Sequence, residues 1–170
     1  PDAIARAQGL MRLAGGRLDV RLGRFGDLEA LVPEALDAAM FDFGVSSFQL
    51  DSAERGFSFR FEGPLDMRMG ADGPDAAAVV AGLSEAALSE ILWAFGEEPA
   101  ARRIARYLTE ARKAAPITST LQLADLVEKA VGGRNGARIH PATRTFQALR
   151  ILVNDELGEI CRGLSGAESR

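Results

Sequence analysis

The apolar run AAMFDFGV, residues 38–45, is the segment that most limits how this chain can fold, because only one charged side chain, Asp42, interrupts it. Such a run is typical of a strand that is buried on both faces of a parallel sheet. A second segment, RLDVRLG at 17–23, alternates apolar and polar residues as a half-buried strand does. Helical patterns at 1–16 and 28–36 complete a helix, strand, helix, strand order. That order predicts an α/β fold with a parallel sheet.

The sequence after Val45 has a different character. Two strands do not form a stable sheet by themselves, so we expect the remaining strands to lie outside these residues and the chain to be an internal fragment. Residues 46–75 form a glycine-rich, aromatic and charged connection, which is longer than most loops that only join two elements. Amphipathic patterns then predict helices over 76–83, 84–96, 97–114, 118–132 and 140–164.

The basic side chains are concentrated in one part of the chain. The net charge is −4, yet residues 101–150 hold ten basic residues against three acidic ones. This distribution indicates a basic surface on an acidic protein, which could meet phosphate in a large anionic partner. A solvated face that is balanced by acidic residues elsewhere is the alternative.

Several classes of protein are disfavoured by composition. Cys161 and His140 are the only residues of their types, which excludes a zinc site of the Cys/His kind, and the lone thiol suggests a reducing compartment. No stretch approaches the roughly 20 apolar residues that cross a bilayer, and no secretory signal opens the chain. We therefore expect a cytoplasmic protein with no membrane contact.

Asp42 is the most informative single residue. An acidic residue near the carboxyl end of a buried parallel strand lies where open α/β sheets bind ligands. The alternative is a carboxylate that caps the following turn, and Ser46 likewise could either donate to a substrate or cap a turn. The string Asp-Phe-Gly at 42–44 also matches the metal-binding tripeptide of protein kinases, but the other kinase motifs are missing, so that match is accidental.

The connection carries arginines among phenylalanines. Arg55, Arg60 and Arg68 alternate with aromatic residues that include Phe57. Aromatic rings stack on unpaired bases while arginines neutralise phosphate, so this pattern is typical of a grip on single-stranded RNA. A hydrophobic plug that joins two domains is the alternative.

A second group of candidate residues opens the last predicted helix. Arg138, His140 and Arg144 place positive charge where it opposes the helix macrodipole, which a bound anion would explain. A surface helix start without a ligand fits the same residues.

Two long strings now become recognisable. FDFGVSSFQLDSAERGFSFRFEGPLDMRM at 41–69 and HPATRTFQALRILVNDEL at 140–157 closely resemble the signature stretches of the bacterial 16S ribosomal RNA cytosine-N4 methyltransferases, which use S-adenosylmethionine. The lead-in PDAIARAQ, the turn GRFGDL and the helices GEEPAARRIARYL and ITSTLQLADLV are also similar. The resemblance therefore extends over essentially the whole chain.

The resemblance implies a partial class I (Rossmann-like) methyltransferase sheet with an inserted, mostly helical substrate-recognition domain. It assigns 1–48 to the cofactor-binding domain, 49–139 to the insert that recognises ribosomal RNA, and 140–170 to a helix that returns to the methyltransferase domain. The family's glycine-rich cofactor loop and its SFHSLEDR-like stretch are expected before Pro1 and after Arg170. Phe43 and Phe48 stand where the family usually has Leu and Pro.

Roles for individual residues follow from the same resemblance. Asp42 and Gln49 would contact the methionine or adenosine part of S-adenosyl-L-methionine, and Phe25 would lie against the adenine. Asp42 and Ser46 are the candidates to accept hydrogen bonds from the cytosine amine. The insert would present its arginines to 16S ribosomal RNA in the small subunit, with no metal required, and a homodimer is one oligomeric state that the sequence leaves open.

Two other functions compete with methyl transfer. One is an RNA-binding helical module that has no activity. The other is a structural helical domain with an arginine-rich face, which predicts RNA affinity that is absent or independent of salt.

Overall fold

The computed structural model describes residues 2–70, 72–134, 136 and 138–170, and it divides the chain into two compact units. Unit 1 comprises Pro1–Phe43 with Leu157–Arg170, and unit 2 comprises Gly44–Glu156. The α-helices of the described residues are α1 (Asp2–Leu13), α2 (Leu28–Leu31), α3 (Ser47–Asp51), α4 (Ala76–Gly82), α5 (Glu85–Gly96), α6 (Ala101–Ala114), α7 (Thr120–Val131), α8 (Ala142–Val153) and α9 (Glu156–Glu168). In this part of the chain no helix has the length and apolar character needed to span a membrane.

The α/β prediction is wrong for the described residues. Neither 17–23 nor 38–45 forms a strand. In the described residues β-pairing is limited to one antiparallel bridge, between Pro64 and Ser119. A strand needs a neighbour that satisfies its backbone N–H and C=O groups, and these two segments do not pair with each other. The described residues therefore do not contain the expected partial class I (Rossmann-like) sheet. No residue of 38–45 is buried, and Met40 is 96% exposed.

Hydrogen bonds to the last helix, rather than a sheet, hold the irregular part of unit 1. The Gly26 N–H donates to Glu159 Oε2 at 2.8 Å, and the Leu36 N–H donates to the Arg170 carbonyl at 3.0 Å. The Arg170 guanidinium in turn donates to the Glu29 carbonyl at 2.9 Å. These contacts pair backbone groups of the segment 26–36 with individual residues of 157–170.

Unit 2 is a helical bundle in which α5 packs against α6 and α8. Its core positions repeat at helical spacing, as the amphipathic patterns predict. Fully buried members include Leu88, Leu92, Ile104, Leu108, Leu123, Val127 and Leu149. Burying each such side chain contributes roughly 1.5–3 kcal/mol to the stability of the unit.

The helices predicted over 76–83, 84–96 and 118–132 are confirmed as α4, α5 and α7, and the pattern at 97–114 forms α6, which begins later, at Ala101. Side-chain caps explain two of the starts. The Ser84 hydroxyl accepts the Ala87 N–H, and the Ser119 hydroxyl accepts the Gln122 N–H, both at 3.2 Å.

The prediction of one long helix over 140–164 is wrong, because α8 ends at Val153 and α9 begins at Glu156. Asp155 has a φ of 48°, a left-handed conformation that cannot continue a right-handed helix. Asn154 precedes it, and its side chain donates to the Arg150 carbonyl at 2.8 Å instead of pointing to solvent. The apolar periodicity continues across this break, so periodicity alone does not reveal it.

Candidate functional site

Three phenylalanines of unit 1 form a cluster, and two of them are the sequence neighbours of Asp42. The ring centroids of Phe25 and Phe41 are 5.9 Å apart, those of Phe25 and Phe43 are 5.4 Å apart, and Phe41 stacks on Phe43 at 5.5 Å. Phe25 and Phe43 are 40% and 43% exposed, and Asp42 between Phe41 and Phe43 is exposed as well. The structure thus brings Phe25 to the segment that carries Asp42. Exposed ring surface can stack on a planar base, and an exposed carboxylate in the same segment can accept hydrogen bonds.

The contacts of Gly26 hold Phe25 in place. Glu159 accepts the Gly26 N–H and is paired with Arg162 at 2.8 Å. Burial raises the pKa of the Glu159 carboxyl, but hydrogen bonds from Arg162 and Gly26 outweigh it, so the pKa lies below its ordinary value. A Cβ at Gly163 would lie 3.1 Å from the Phe25 carbonyl, so the close approach of the turn to the last helix leaves little room for a side chain there.

Ser46 and Gln49 belong to unit 2 and contact each other at the start of α3. The Gln49 Oε1 atom accepts the Ser46 N–H at 2.8 Å and lies 3.1 Å from the Ser46 hydroxyl oxygen. Asp42 and Phe25 belong to unit 1. The predicted roles of Ser46 and Gln49 toward substrate and cofactor stay predictions.

Arg55 and Phe57 have partners within unit 2. The Arg55 Nη2 atom donates to the carbonyls of Arg68 and Met69 at 2.9 and 3.1 Å, and its guanidinium carbon lies 5.7 Å from the Phe57 ring centroid. Phe57 is buried in the helical core. Phe57 thus packs the connection against the bundle, and Arg55 joins two parts of the connection to each other.

Arg68 and Arg60 differ in their surroundings. Arg68 makes a two-pronged pair with Asp66, with Nε to Oδ1 at 2.9 Å and Nη2 to Oδ2 at 2.8 Å. Hydrogen bonding from Arg68 lowers the pKa of the Asp66 carboxyl below its ordinary value. Arg60 is exposed. Of the three predicted arginines of the connection, Arg60 is therefore the one that presents most of its side chain to solvent.

The Asp66 pair predicts a pH dependence of stability. A carboxyl whose pKa is lowered by folding stabilises the protein above its unfolded pKa of roughly 4, and this contribution is lost as the pH falls through the folded pKa. We expect Asp66→Asn to lower the free energy of unfolding by about 1 kcal/mol at pH 7. Below pH 4 we expect this free energy to vary less with pH in Asp66→Asn than in wild type. Urea unfolding from pH 2 to pH 7 measures both effects. Glu110→Gln, at an exposed pair, is the control, and parallel profiles for wild type and Asp66→Asn would contradict the prediction.

Asn154 is a residue that the sequence analysis did not single out. Its Oδ1 atom accepts the Met69 N–H at 2.6 Å, and its Nδ2 atom donates to the Met67 carbonyl at 2.8 Å. Met67 is fully buried with a φ of 63°, an unusual conformation for a residue with a side chain. Asn154 therefore fixes the end of the connection to the end of α8. The signal in the sequence is an amide that interrupts an apolar helical stripe.

Phe41 was also missed as a member of the aromatic cluster. Residues at positions i and i+2 of a non-helical segment can point to the same side, as Phe41 and Phe43 do in stacking on each other. The spacing Phe-Asp-Phe is the sequence signal that indicates this pairing.

Of the three residues predicted to bind an anion at the start of the last helix, His140 has partners within the protein. The His140 Nδ1 atom accepts the Ala142 N–H at 3.1 Å, its Nε2 atom lies 3.3 Å from Glu128, and its ring lies 4.5 Å from that of Phe59. Arg138 and Arg144 are exposed. Among the described residues, no group of three or more His, Cys, Asp or Glu could hold a metal ion.

Comparisons with known proteins give a consistent result. The model of the family described as the MraW methylase family matches residues 1–169. Ribosomal RNA small subunit methyltransferase H of Methylorubrum extorquens (strain PA1) is 55% identical over 173 residues, which cover 99% of this chain and 49% of the relative. The protein of the same name from Methylobacterium sp. (strain 4-46) is 56% identical over 172 residues, 99% of this chain and 51% of the relative. The chain thus spans about half the length of the curated relatives it matches.

Proposed function

Because the chain belongs to the MraW methylase family, we propose that it forms part of an enzyme that methylates N4 of a cytosine in 16S ribosomal RNA of the small subunit, in the cytoplasm. The observation that carries this proposal is identity of 55–56% to ribosomal RNA methyltransferases along 99% of the chain. That span includes Asp42 with its flanking phenylalanines and the segment at 140–157.

We further propose that Phe25, Asp42 and Gln49 hold S-adenosylmethionine, which supplies a methyl group already activated by a positively charged sulfur. The exposed faces of Phe25 and Phe43 suit an adenine ring, because offset or edge-on aromatic contacts are favourable. The Asp42 carboxylate suits the hydroxyl or ammonium groups of the same molecule, since it is exposed and accepts hydrogen bonds only.

Asp42 and Ser46 are proposed to orient the cytosine amine. The amine is a poor nucleophile because its lone pair is delocalised into the ring. Hydrogen bonds from its N–H groups to the Asp42 carboxylate and the Ser46 oxygen would hold the nitrogen in line and favour its pyramidal form. These two residues therefore act by positioning the amine and by stabilising the positive charge that develops on its nitrogen, and they need no metal ion.

The arginines of unit 2 are proposed to bind the ribosomal RNA. Arg60, Arg138 and Arg144 are exposed and suit direct contact with phosphate. Arg55, Phe57, Arg68 and His140 have partners within unit 2, so they support the RNA-binding surface through the position of the connection. A homodimer stays a prediction.

A chimera tests the proposal. This chain replaces the matching half of the Methylorubrum extorquens relative, and the product is incubated with labelled S-adenosylmethionine and small subunits that lack the modification. We expect label on one cytosine, mapped by nuclease digestion and mass spectrometry. The relative's other half alone is the control. A folded chimera that binds subunits but transfers no methyl group would contradict the proposal and favour the RNA-binding module.

A further inference from the structure

A surface groove of unit 2 extends from Trp93 on α5, across the start of α6, to Arg144 on α8. We propose that this groove binds single-stranded RNA, with Trp93 stacking on a base and with Arg103 and Arg144 contacting phosphates. The choice of RNA as the occupant rests on the proposed function, and the groove adds a contact site to it.

The groove consists of two adjoining cavities. The first, of about 1220 Å³, lies between α5 and the start of α6 and includes Trp93. The second, of about 340 Å³, includes Arg134 and Arg144. Pro99, Ala100 and Arg103 line both cavities. Because they share these three residues, the two cavities lie side by side on the surface of unit 2, and together they are called the groove.

Trp93 gives the groove an aromatic platform. Its side chain is 65% exposed, although burial of an indole is among the largest contributions a side chain can make to a core. Every base has a π-face, so an exposed indole beside cationic groups stacks on bases without regard to sequence. A base can reach such a platform only when it is unpaired, which favours a single strand over a duplex.

The arginines give the groove its charge. Within the described residues, Arg103 and Arg144 have no carboxylate at salt-bridge distance, whereas Arg134 pairs with Glu128 at 3.2 Å and remains exposed. Arg103 and Arg144 are each the third residue of a helix, α6 and α8. Positive charge in a first turn opposes the macrodipole, and a phosphate placed between the two guanidinium groups would relieve that repulsion.

The acidic residues of the groove limit where phosphates can lie. Glu85 and Glu90 line only the first cavity, whereas Arg144 lines only the second. Glu98 lines the second cavity but is 6% exposed, and it accepts the Ala100 N–H at 2.9 Å, so it belongs to the start of α6. Phosphates are therefore favoured at the arginine end and a base at the Trp93 end.

Fluorescence anisotropy of the full chain with a labelled single-stranded RNA of about 12 nucleotides tests the groove. We expect Trp93→Ala to weaken binding about 5- to 150-fold and Trp93→Phe to retain most of the affinity. The double variant Arg103→Ala/Arg144→Ala should reduce the slope of log affinity against log salt by about 1.4, because each phosphate contact contributes roughly 0.7. Lys113→Ala, at the other end of α6, is the matched charge control and should change affinity less than twofold.

Any of three results would contradict the proposal that the groove binds single-stranded RNA. The wild-type chain could show no measurable affinity for the single strand, it could bind a duplex of equal length more tightly, or the Trp93 and Arg103/Arg144 variants could bind as Lys113→Ala does. Circular dichroism confirms that each variant is folded. Methyl transfer by the chimera is a separate readout. If the chimera is active but the groove variants bind RNA as wild type does, only the proposal for the groove is contradicted. If the chimera is inactive but the groove variants lose affinity as expected, only the proposed function is contradicted.

Discussion

Asp42→Ala in the chimera is expected to lower methyl transfer to the small subunit at least about 100-fold, as the loss of one positioned acceptor does in other enzymes. The carboxylate is exposed and flanked by Phe41 and Phe43, so its removal should leave the thermal unfolding of unit 1 unchanged. The loss should lie mainly in kcat, because the hydrogen bond to the amine strengthens as the amine becomes pyramidal. Single-turnover methylation with saturating S-adenosylmethionine measures this rate.

Two further variants separate a role of Asp42 in the reaction from a general effect of charge. Asp42→Asn keeps an acceptor oxygen without the charge, so we expect a loss smaller than that of Asp42→Ala. Asp37→Ala removes another exposed carboxylate of unit 1 and should leave the rate within twofold of wild type. Transfer at the wild-type rate by Asp42→Ala would remove Asp42 from the site while leaving the family assignment intact.

Asn154→Ala is expected to lower the free energy of unfolding of the chain by about 3 kcal/mol, since it leaves two backbone groups without their partner. Those groups are the Met69 N–H and the Met67 carbonyl, whereas the Arg150 carbonyl still accepts the backbone N–H of residue 154 at 3.2 Å. Met67 also depends on this clamp to remain buried with a positive φ. Urea unfolding followed by circular dichroism measures the loss, and limited proteolysis should show earlier cleavage near residues 66–70.

Gln147→Ala is the matched control for Asn154. Gln147 is an exposed amide on the same helix and donates one hydrogen bond, to the Phe95 carbonyl at 3.1 Å. We expect its removal to cost less than about 1 kcal/mol. Asn154→Asp keeps the acceptor for Met69 but faces two carbonyls with a carboxylate, so it should be as destabilised as Asn154→Ala. Wild-type stability of either variant would show that the clamp contributes nothing.

The signature string at 41–69 has two parts that differ in their contacts. Its first residues include Phe41 and Phe43, which form an aromatic cluster with Phe25, and the exposed Asp42 between them in sequence. Its later residues, among them Arg55 and Arg68, form hydrogen bonds with other residues of the connection. A resemblance in sequence does not separate a residue that contacts a ligand from one that holds a loop, because both are required for the same site.

The sequence by itself determined the family and most helices of unit 2. Caps such as Ser84 and Ser119 and apolar residues at helical spacing act within a few residues of each other, so local chemistry is sufficient to define these elements. The tertiary structure decided what depends on distant partners. Whether 38–45 forms a strand depends on a neighbouring strand, and whether the last helix breaks at Asn154 depends on the backbone of Met67 and Met69. Which arginines remain exposed depends in the same way on carbonyls and carboxylates that other parts of the chain bring within hydrogen-bond distance.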